Sequence, residues 1–248
     1  MHKLFIYPIS IIRLILLFVY SFILVFFGLI IWYLSGKNIR FGQSISYMWG
    51  NGALWLLNIH VTYEGEKPKD GGIIMSNHQG YLDIFTLLAQ GRYSIIAKEE
   101  IGKWPVIGRA ADMIHMILVN RRSAASMMKV MKTLEKELKD GNNIILFPEG
   151  KTHTGNKTAP FKRGSFKVAT DLGVPINPVA IIYHNPKDAW TGSATFVPHF
   201  LNQMGKWRTN LTVAFGQPVQ SDDLTTLMTM TKEAIDSLIA ANTSSSKK

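Results

Sequence analysis

Residues 72–89 read GIIMSNHQGYLDIFTLLA. The apolar run Gly72–Met75 reads as a short buried strand, and helical spacing begins near Tyr81, predicting a helix over Asp83–Ala89. Between them lies a turn that carries His78, and strand-to-helix turns are common seats for catalytic groups. Asp83 follows five residues after His78. On one straight helix two such side chains diverge by roughly 140°. With His78 in the turn and Asp83 in the first helical turns, they can meet. A carboxylate on one imidazole nitrogen fixes the tautomer and leaves the other nitrogen free as a base. Taken alone, the pair reads equally well as a surface histidine and an aspartate placed at a helix N-terminus by the macrodipole.

The same alternation extends outward from this unit. Further strands are predicted at Tyr93–Ala97, Met116–Val119, Ile144–Phe147, Ile176–Ile182, Ala194–Val197 and Leu211–Phe215, and further helices at Ser126–Leu138 and Ser165–Leu172. Gly141-Asn142 and Gly173 stop those two helices. Alternating strands and helices predict an α/β fold with a mixed, partly parallel sheet flanked by helices. The tail Asn242–Lys248 is polar and serine-rich and is expected to be disordered.

Upstream the chain changes character. Leu14–Leu34 holds 21 residues without a charge, nearly all Leu, Ile, Phe or Val. A helix of that length covers roughly 30 Å, the thickness of a hydrocarbon core. Leu34-Ser35-Gly36-Lys37 offers no small-residue cleavage site, so the segment is expected to be retained. A second uncharged stretch, Phe41–Tyr63, is rich in Trp and Tyr and reads as an interfacial or re-entrant helix. His2, Lys3 and Arg13 flank the first helix on one side, and Lys37 and Arg40 on the other. A single span puts one basic flank outside; a hairpin dipping into one leaflet keeps both inside, and that arrangement is expected. The predicted division is therefore membrane-associated helices at 1–62, an α/β domain at 63–241 and a tail at 242–248.

Composition narrows the chemistry. The 248 residues carry a net charge of +10, favouring acidic partners, and contain no cysteine, which excludes disulfides, cysteine–zinc sites and thiol nucleophiles. The basic residues are dispersed and form no recognition motif, so nucleic acid is not an expected partner. Residues 145–152, ILFPEGKT, end like a phosphate-binding loop, but Ile145 stands where the first glycine belongs and Glu149 opposes a phosphate. There is no Gly-x-Ser-x-Gly. A His–Asp dyad without its own nucleophile suits activation of a hydroxyl on the substrate.

Four blocks, in order over roughly residues 60–220, resemble the glycerolipid acyltransferases. Asn77-His78 with Asp83 matches an Asn-His-x4-Asp block; Lys98, Glu100, Pro105 and Gly108 match a Lys-x-Glu block; Phe147-Pro148-Glu149-Gly150, followed by Phe161–Gly164, matches a Phe-Pro-Glu-Gly block; Val174-Pro175-Ile176 with Pro178-Val179 matches a Val-Pro-Ile-x-Pro block. The resemblance implies acyl transfer from a thioester of acyl carrier protein or CoA to the sn-2 hydroxyl of 1-acyl-glycerol-3-phosphate. His78 is then the base and Asp83 its orienter. Lys98 lies near the thioester carbonyl, and Asn77, Glu149 and Gly150 belong with the substrate-binding residues. Arg121, Lys151 and Arg163 hold the acceptor phosphate, although solvated surface charge and anionic-lipid contact remain alternative readings for Arg121 and Arg163. The chemistry requires no metal or bound cofactor. The implied setting is the cytoplasmic side of a bacterial inner membrane, with the bilayer and a lysophospholipid as partners. Two departures stand out: Lys151-Thr152 where the family has Thr-Arg, and Asn120-Arg121 where it has Asp-Arg. Both concern the headgroup, and they leave a sibling acceptor such as a lyso-ornithine lipid as the alternative.

Overall fold

The computed structural model describes residues 2–68, 72–104, 106–120, 122–191 and 195–245; Pro105 and Arg121 lie outside these. The chain runs α1 (His2–Leu34), α2 (Ile39–Leu56), β1 (Ile59–Glu64), β2 (Ile73–Ser76), α3 (Leu82–Leu88), β3 (Ser94–Lys98), a 3-10 turn (Glu99–Lys103), α4 (Ile107–Ala110), β4 (Met116–Val119), α5 (Ala124–Lys139), β5 (Ile144–Leu146), α6 (Gly164–Leu172), β6 (Ile176–Tyr183), a second 3-10 turn (Pro186–Asp188), α7 (Phe196–Met204), β7 (Thr209–Phe215) and α8 (Leu224–Ser245). The strands form one mixed sheet in the order β1-β7-β6-β2-β5-β3-β4. β6, β2, β5, β3 and β4 run parallel, β7 is antiparallel to β6, and β1 is parallel to β7.

Side-chain alternation along the strands builds two cores. Ile74, Val179, Ile181 and Tyr183 join residues of α2, α3 and α7 on one face of the sheet. Ile73, Met75, Ala180 and Ile182 join α5, α6 and α8 on the other. The parallel strands need crossovers, and α3, α5 and α6 supply them.

The two N-terminal apolar stretches part ways. α1 carries the stretch long and apolar enough to cross a membrane, Ile6–Leu34. Its outer face, including Ile15, Phe18, Phe22, Phe26 and Ile30, is exposed. Its inner face is tied to the protein along its length. Ser10 Oγ donates to Leu201 O at 2.5 Å, Arg13 Nη1 to Met204 O at 2.8 Å, Tyr20 Oη to Met48 O at 2.6 Å, and Ser21 Oγ accepts from Trp49 Nε1 at 2.8 Å. α2, read as an interfacial or re-entrant helix, buries one face in the protein and leaves Tyr47, Met48 and Trp55 exposed on the other. Gly42, Ser46, Gly50 and Ala53 form a small-residue stripe that is buried. A Cβ on Gly42 would lie 1.7 Å from Met113 O, and one on Gly50 2.7 Å from Ala89 N, so only glycine permits this approach.

The expected division at residue 62 falls inside β1, which pairs with β7 from Ile59↔Thr209 to Glu64↔Ala214. The N-terminal helices and the sheet therefore share one core. Two further corrections concern local structure. Phe196 and Val197, expected in a strand, open α7; Ala194 lies outside the described residues. Pro198 sits in the first turn of α7, where a missing N–H costs nothing. The expected tail is shorter than read: α8 continues to Ser245, with Asn242 buried, and 246–248 lie outside the described residues.

Candidate active site

The C-terminal ends of the parallel strands bring the motif blocks to one edge of the sheet. β2 and β5 are adjacent, with Met75 opposite Leu146. His78 and Glu149 each lie three residues beyond that pair, so register alone sets them side by side. Lys98 closes β3, two strands from β2, a backbone separation of roughly 10 Å.

His78 Nδ1 lies 2.7 Å from Asp83 Oδ2. That oxygen also accepts from Gln79 N at 2.6 Å and Gly80 N at 2.9 Å, while Oδ1 accepts from Tyr183 Oη at 2.7 Å. The Asp83 side chain is fully buried and that of His78 is 19% exposed. A buried carboxylate with donors on both oxygens is held in one orientation. Burial, reinforced by the neighbouring Asp83 charge, pushes the Tyr183 phenol well above its ordinary pKa, so it remains a protonated donor.

The backbone of His78 is gripped separately. Its N–H donates to Glu149 Oε1 at 3.0 Å, and its carbonyl accepts from His153 N at 2.7 Å. The Phe147 ring stacks on the imidazole, with centroids 4.0 Å apart and an interplanar angle of 15°. Glu149 is 3% exposed, and its second oxygen accepts from Ala159 N at 2.9 Å. Burial raises its pKa, opposed by those two backbone donors. Lys162 N donates to Pro148 O at 2.8 Å, and Gly150 turns the loop at φ +72°.

Of the residues expected to meet substrate, two have other work. Asn77 is buried, its amide nitrogen donating to Ile181 O and its oxygen accepting from Ile181 N, both at 2.8 Å. It extends the β2–β6 ladder by one side chain. Glu149 holds backbone as described. Each side chain is buried and makes these bonds to backbone. Lys98, Lys151 and Arg163 are exposed. Arg163 lines an open groove of about 280 Å³ with Phe161, Met228 and Lys232. Arg121 lies outside the described residues.

Sequence reasoning missed three supports: Tyr183, the backbone role of His153, and the stacking of Phe147 on His78. Tyr183 could have been found from alternation, since positions 179, 181 and 183 share a face and a buried phenol there needs a partner.

An imidazole oriented by a buried carboxylate, at the C-terminal edge of an α/β sheet, is an arrangement suited to general acid–base chemistry on a bound substrate. The Acyltransferase family model matches residues 58–182, and the chain belongs to that family. It is 33% identical over 153 residues to the 1-acyl-sn-glycerol-3-phosphate acyltransferase of Neisseria gonorrhoeae, covering 61% of this chain and 58% of that protein. It is 27% identical over 194 residues to the lyso-ornithine lipid O-acyltransferase of Rhizobium meliloti (strain 1021), covering 70% of this chain and 66% of that protein. The chain thus spans less than two thirds of either relative. The crystal structure of the 1-acyl-sn-glycerophosphate (LPA) acyltransferase PlsC from Thermotoga maritima shares the fold, with a TM-score of 0.76 over 98% of both chains at 23% identity.

Proposed function

We propose that this acyltransferase moves a fatty acyl chain from an acyl thioester, of acyl carrier protein or CoA, to the sn-2 hydroxyl of 1-acyl-glycerol-3-phosphate, giving phosphatidic acid. The observation that carries the chemistry is the 2.7 Å contact between His78 Nδ1 and the fully buried Asp83. With Nδ1 engaged, Nε2 is the nitrogen left to act as base. It takes the proton from the acceptor hydroxyl as that oxygen attacks the thioester carbonyl carbon. Asp83 stabilises the imidazolium that forms. Negative charge develops on the carbonyl oxygen, and the Lys98 ammonium is assigned to stabilise it. Collapse breaks the C–S bond, and the departing thiolate takes the proton from His78. Lys151, Arg163 and Arg121 are assigned to the acceptor phosphate. Glu149 holds the His78 backbone, and Asn77, the preceding residue, ties the end of β2 to β6.

The membrane reading follows from α1. Its outer face is apolar while its inner face is bonded to the protein, so it lies along one leaflet and brings the site to where lysophospholipid resides. Basic flanks on both ends favour the cytoplasmic side of a bacterial inner membrane. Phe18→Asp combined with Phe22→Asp is expected to release the protein from liposomes in co-sedimentation; retention equal to wild type would contradict this placement.

A second acceptor is favoured by a specific observation. Lys151-Thr152 departs from the family pattern near the headgroup, and the Rhizobium meliloti relative is named for a lyso-ornithine lipid. Thiol release by the purified protein, with lysophosphatidate and lyso-ornithine lipid compared as acceptors, decides between them. Faster turnover of lysophosphatidate supports the first reading and faster turnover of the other supports the second. His78→Ala is expected to lose about 10³-fold in kcat. Wild-type protein that binds lipid or thioester without turnover would point to a binding protein instead.

A further inference from the structure

We propose that Tyr183 is a positioning residue for this reaction, its phenol fixing the orientation and the basicity of the carboxylate that aims His78. The inference rests on the general-base reading above.

Asp83 is fully buried, so bulk water does not orient it. Oδ2 takes three donors, all from its own turn: His78 Nδ1, Gln79 N and Gly80 N. Among the described residues the donor to Oδ1 is Tyr183, 100 positions along the chain, at 2.7 Å. A carboxylate is planar, so holding both oxygens fixes its rotation and thereby the direction from which it meets the imidazole. The fold delivers the phenol by alternation: Val179, Ile181 and Tyr183 face the α3 side of β6, and Tyr183 is that strand's last residue. Room for it comes from Gly80, where an added Cβ would stand 3.2 Å from Tyr183 Oη. Tyr183 lies one position past the stretch that the family model matches.

The donated hydrogen bond also spreads the charge of Asp83. Without it the carboxylate becomes more basic and holds a protonated imidazole more tightly. Among the described residues, Glu149 and His153 beside His78, and Tyr81 and Asp188 beside Tyr183, are the other titratable groups facing this cluster, and Tyr183→Phe leaves all four in place. An acid limb of kcat at higher pH therefore reads the loss of this one bond, and a merely structural tyrosine would not move it.

The experiment is thiol release by the purified full chain in detergent micelles, followed against pH. The donor is acyl-CoA, or acyl carrier protein thioester where that is the one turned over, and the acceptor is 1-acyl-glycerol-3-phosphate. Tyr183→Phe is expected to lower kcat about tenfold, the size of one charge-assisted hydrogen bond, with little change in KM. Its acid limb moves to higher pH. In an Asp83→Asn background the same change adds nothing, because Tyr183 acts through Asp83. Should Tyr183→Phe fail to fold, incorporation of 3-fluorotyrosine at 183 keeps the ring and strengthens the donor, and the acid limb moves to lower pH. A wild-type kcat and pH profile in Tyr183→Phe, or an unmoved limb with 3-fluorotyrosine, overturns the proposal while an inactive His78→Ala leaves the dyad standing. Full activity in His78→Ala overturns the underlying reading instead.

Discussion

Opposite edges of the same sheet each hold a histidine beside a buried carboxylate. At the C-terminal edge, His78 meets Asp83 at 2.7 Å. At the N-terminal edge, His115 precedes β4 and meets Glu137 of α5 at 3.4 Å, with Ser94 and Asn142 donating to the other Glu137 oxygen. By residue type the two pairs are alike. They differ in what surrounds them. The first sits in a strand-to-helix turn, with its carboxylate locked by backbone N–H groups and a phenol and its histidine gripped from a neighbouring strand. The second closes the ends of β3, β4 and α5, and Gln43 of α2 reaches it through Ser94. A histidine–acid pair is thus a seam or a site according to which end of the strands it occupies, since ligands in open α/β sheets gather at the carboxyl ends.

The largest expected effect is at Asp83. Asp83→Asn keeps the shape but removes the charge and favours the wrong tautomer, so kcat in the thiol-release assay falls about 10³- to 10⁴-fold while the fold persists by circular dichroism. An activity near wild type would erase the contrast between the two edges. Next comes Glu149→Gln. An amide has a single acceptor oxygen, so one of the two backbone ties, to His78 or to Ala159, is lost. We expect kcat to fall about tenfold through misplacement of His78. The same variant carries a pH signature. Burial raises the Glu149 pKa in the folded state, so its contribution to stability is full below the ordinary value of 4.5 and fades as pH rises through the raised value. Urea unfolding of Glu149→Gln should lack that fall, and an identical pH slope in both proteins would contradict the assignment.

The smallest effect on activity is expected at the other edge. Glu137→Gln should leave kcat within about twofold of wild type, because a pair away from the reacting atoms contributes no transition-state stabilisation. Its stability should drop by about 1 kcal/mol for the weakened hydrogen bonds. The Glu137 pKa is lowered, chiefly by its hydrogen bond to His115 against the opposing effect of burial. Its contribution is therefore present above the ordinary value of 4.5 and lost as pH falls through the lowered value. The stability gap between wild type and variant should close in that acidic window. A large loss of turnover here would mean that the two edges are functionally coupled.

How much of this is legible in the sequence depends on whether a residue's task is local. Strand, turn and helix around His78 follow from residues within a few positions of one another, and so does the meeting of His78 with Asp83. Most of the buried parallel strands announce themselves as continuous apolar runs. β1 does not, because it is an edge strand in which Ile59 alone is buried and it follows directly on the apolar α2. The aromatic residues of α2 drew attention to its exposed face, while the signal for its packed face was the small-residue stripe at 42, 46, 50 and 53. α7 misled because Phe196-Val197 favours a strand by propensity, whereas the chain packs it against α1 as a helix. At the site, Phe-Pro-Glu-Gly gives no hint of the backbone bond that Glu149 makes. Only register shows that it faces the backbone of His78. Alternation along β6 marks Tyr183 as buried, but its partner, 100 positions away, is not visible in the sequence.

The most direct test is a structure of the protein with a non-hydrolysable acyl thioester analogue and lysophosphatidate bound together. The sn-2 hydroxyl is expected about 3 Å from His78 Nε2 and in line with the carbonyl carbon. A hydroxyl held against a different base, with the His78 ring turned away from it, would contradict it.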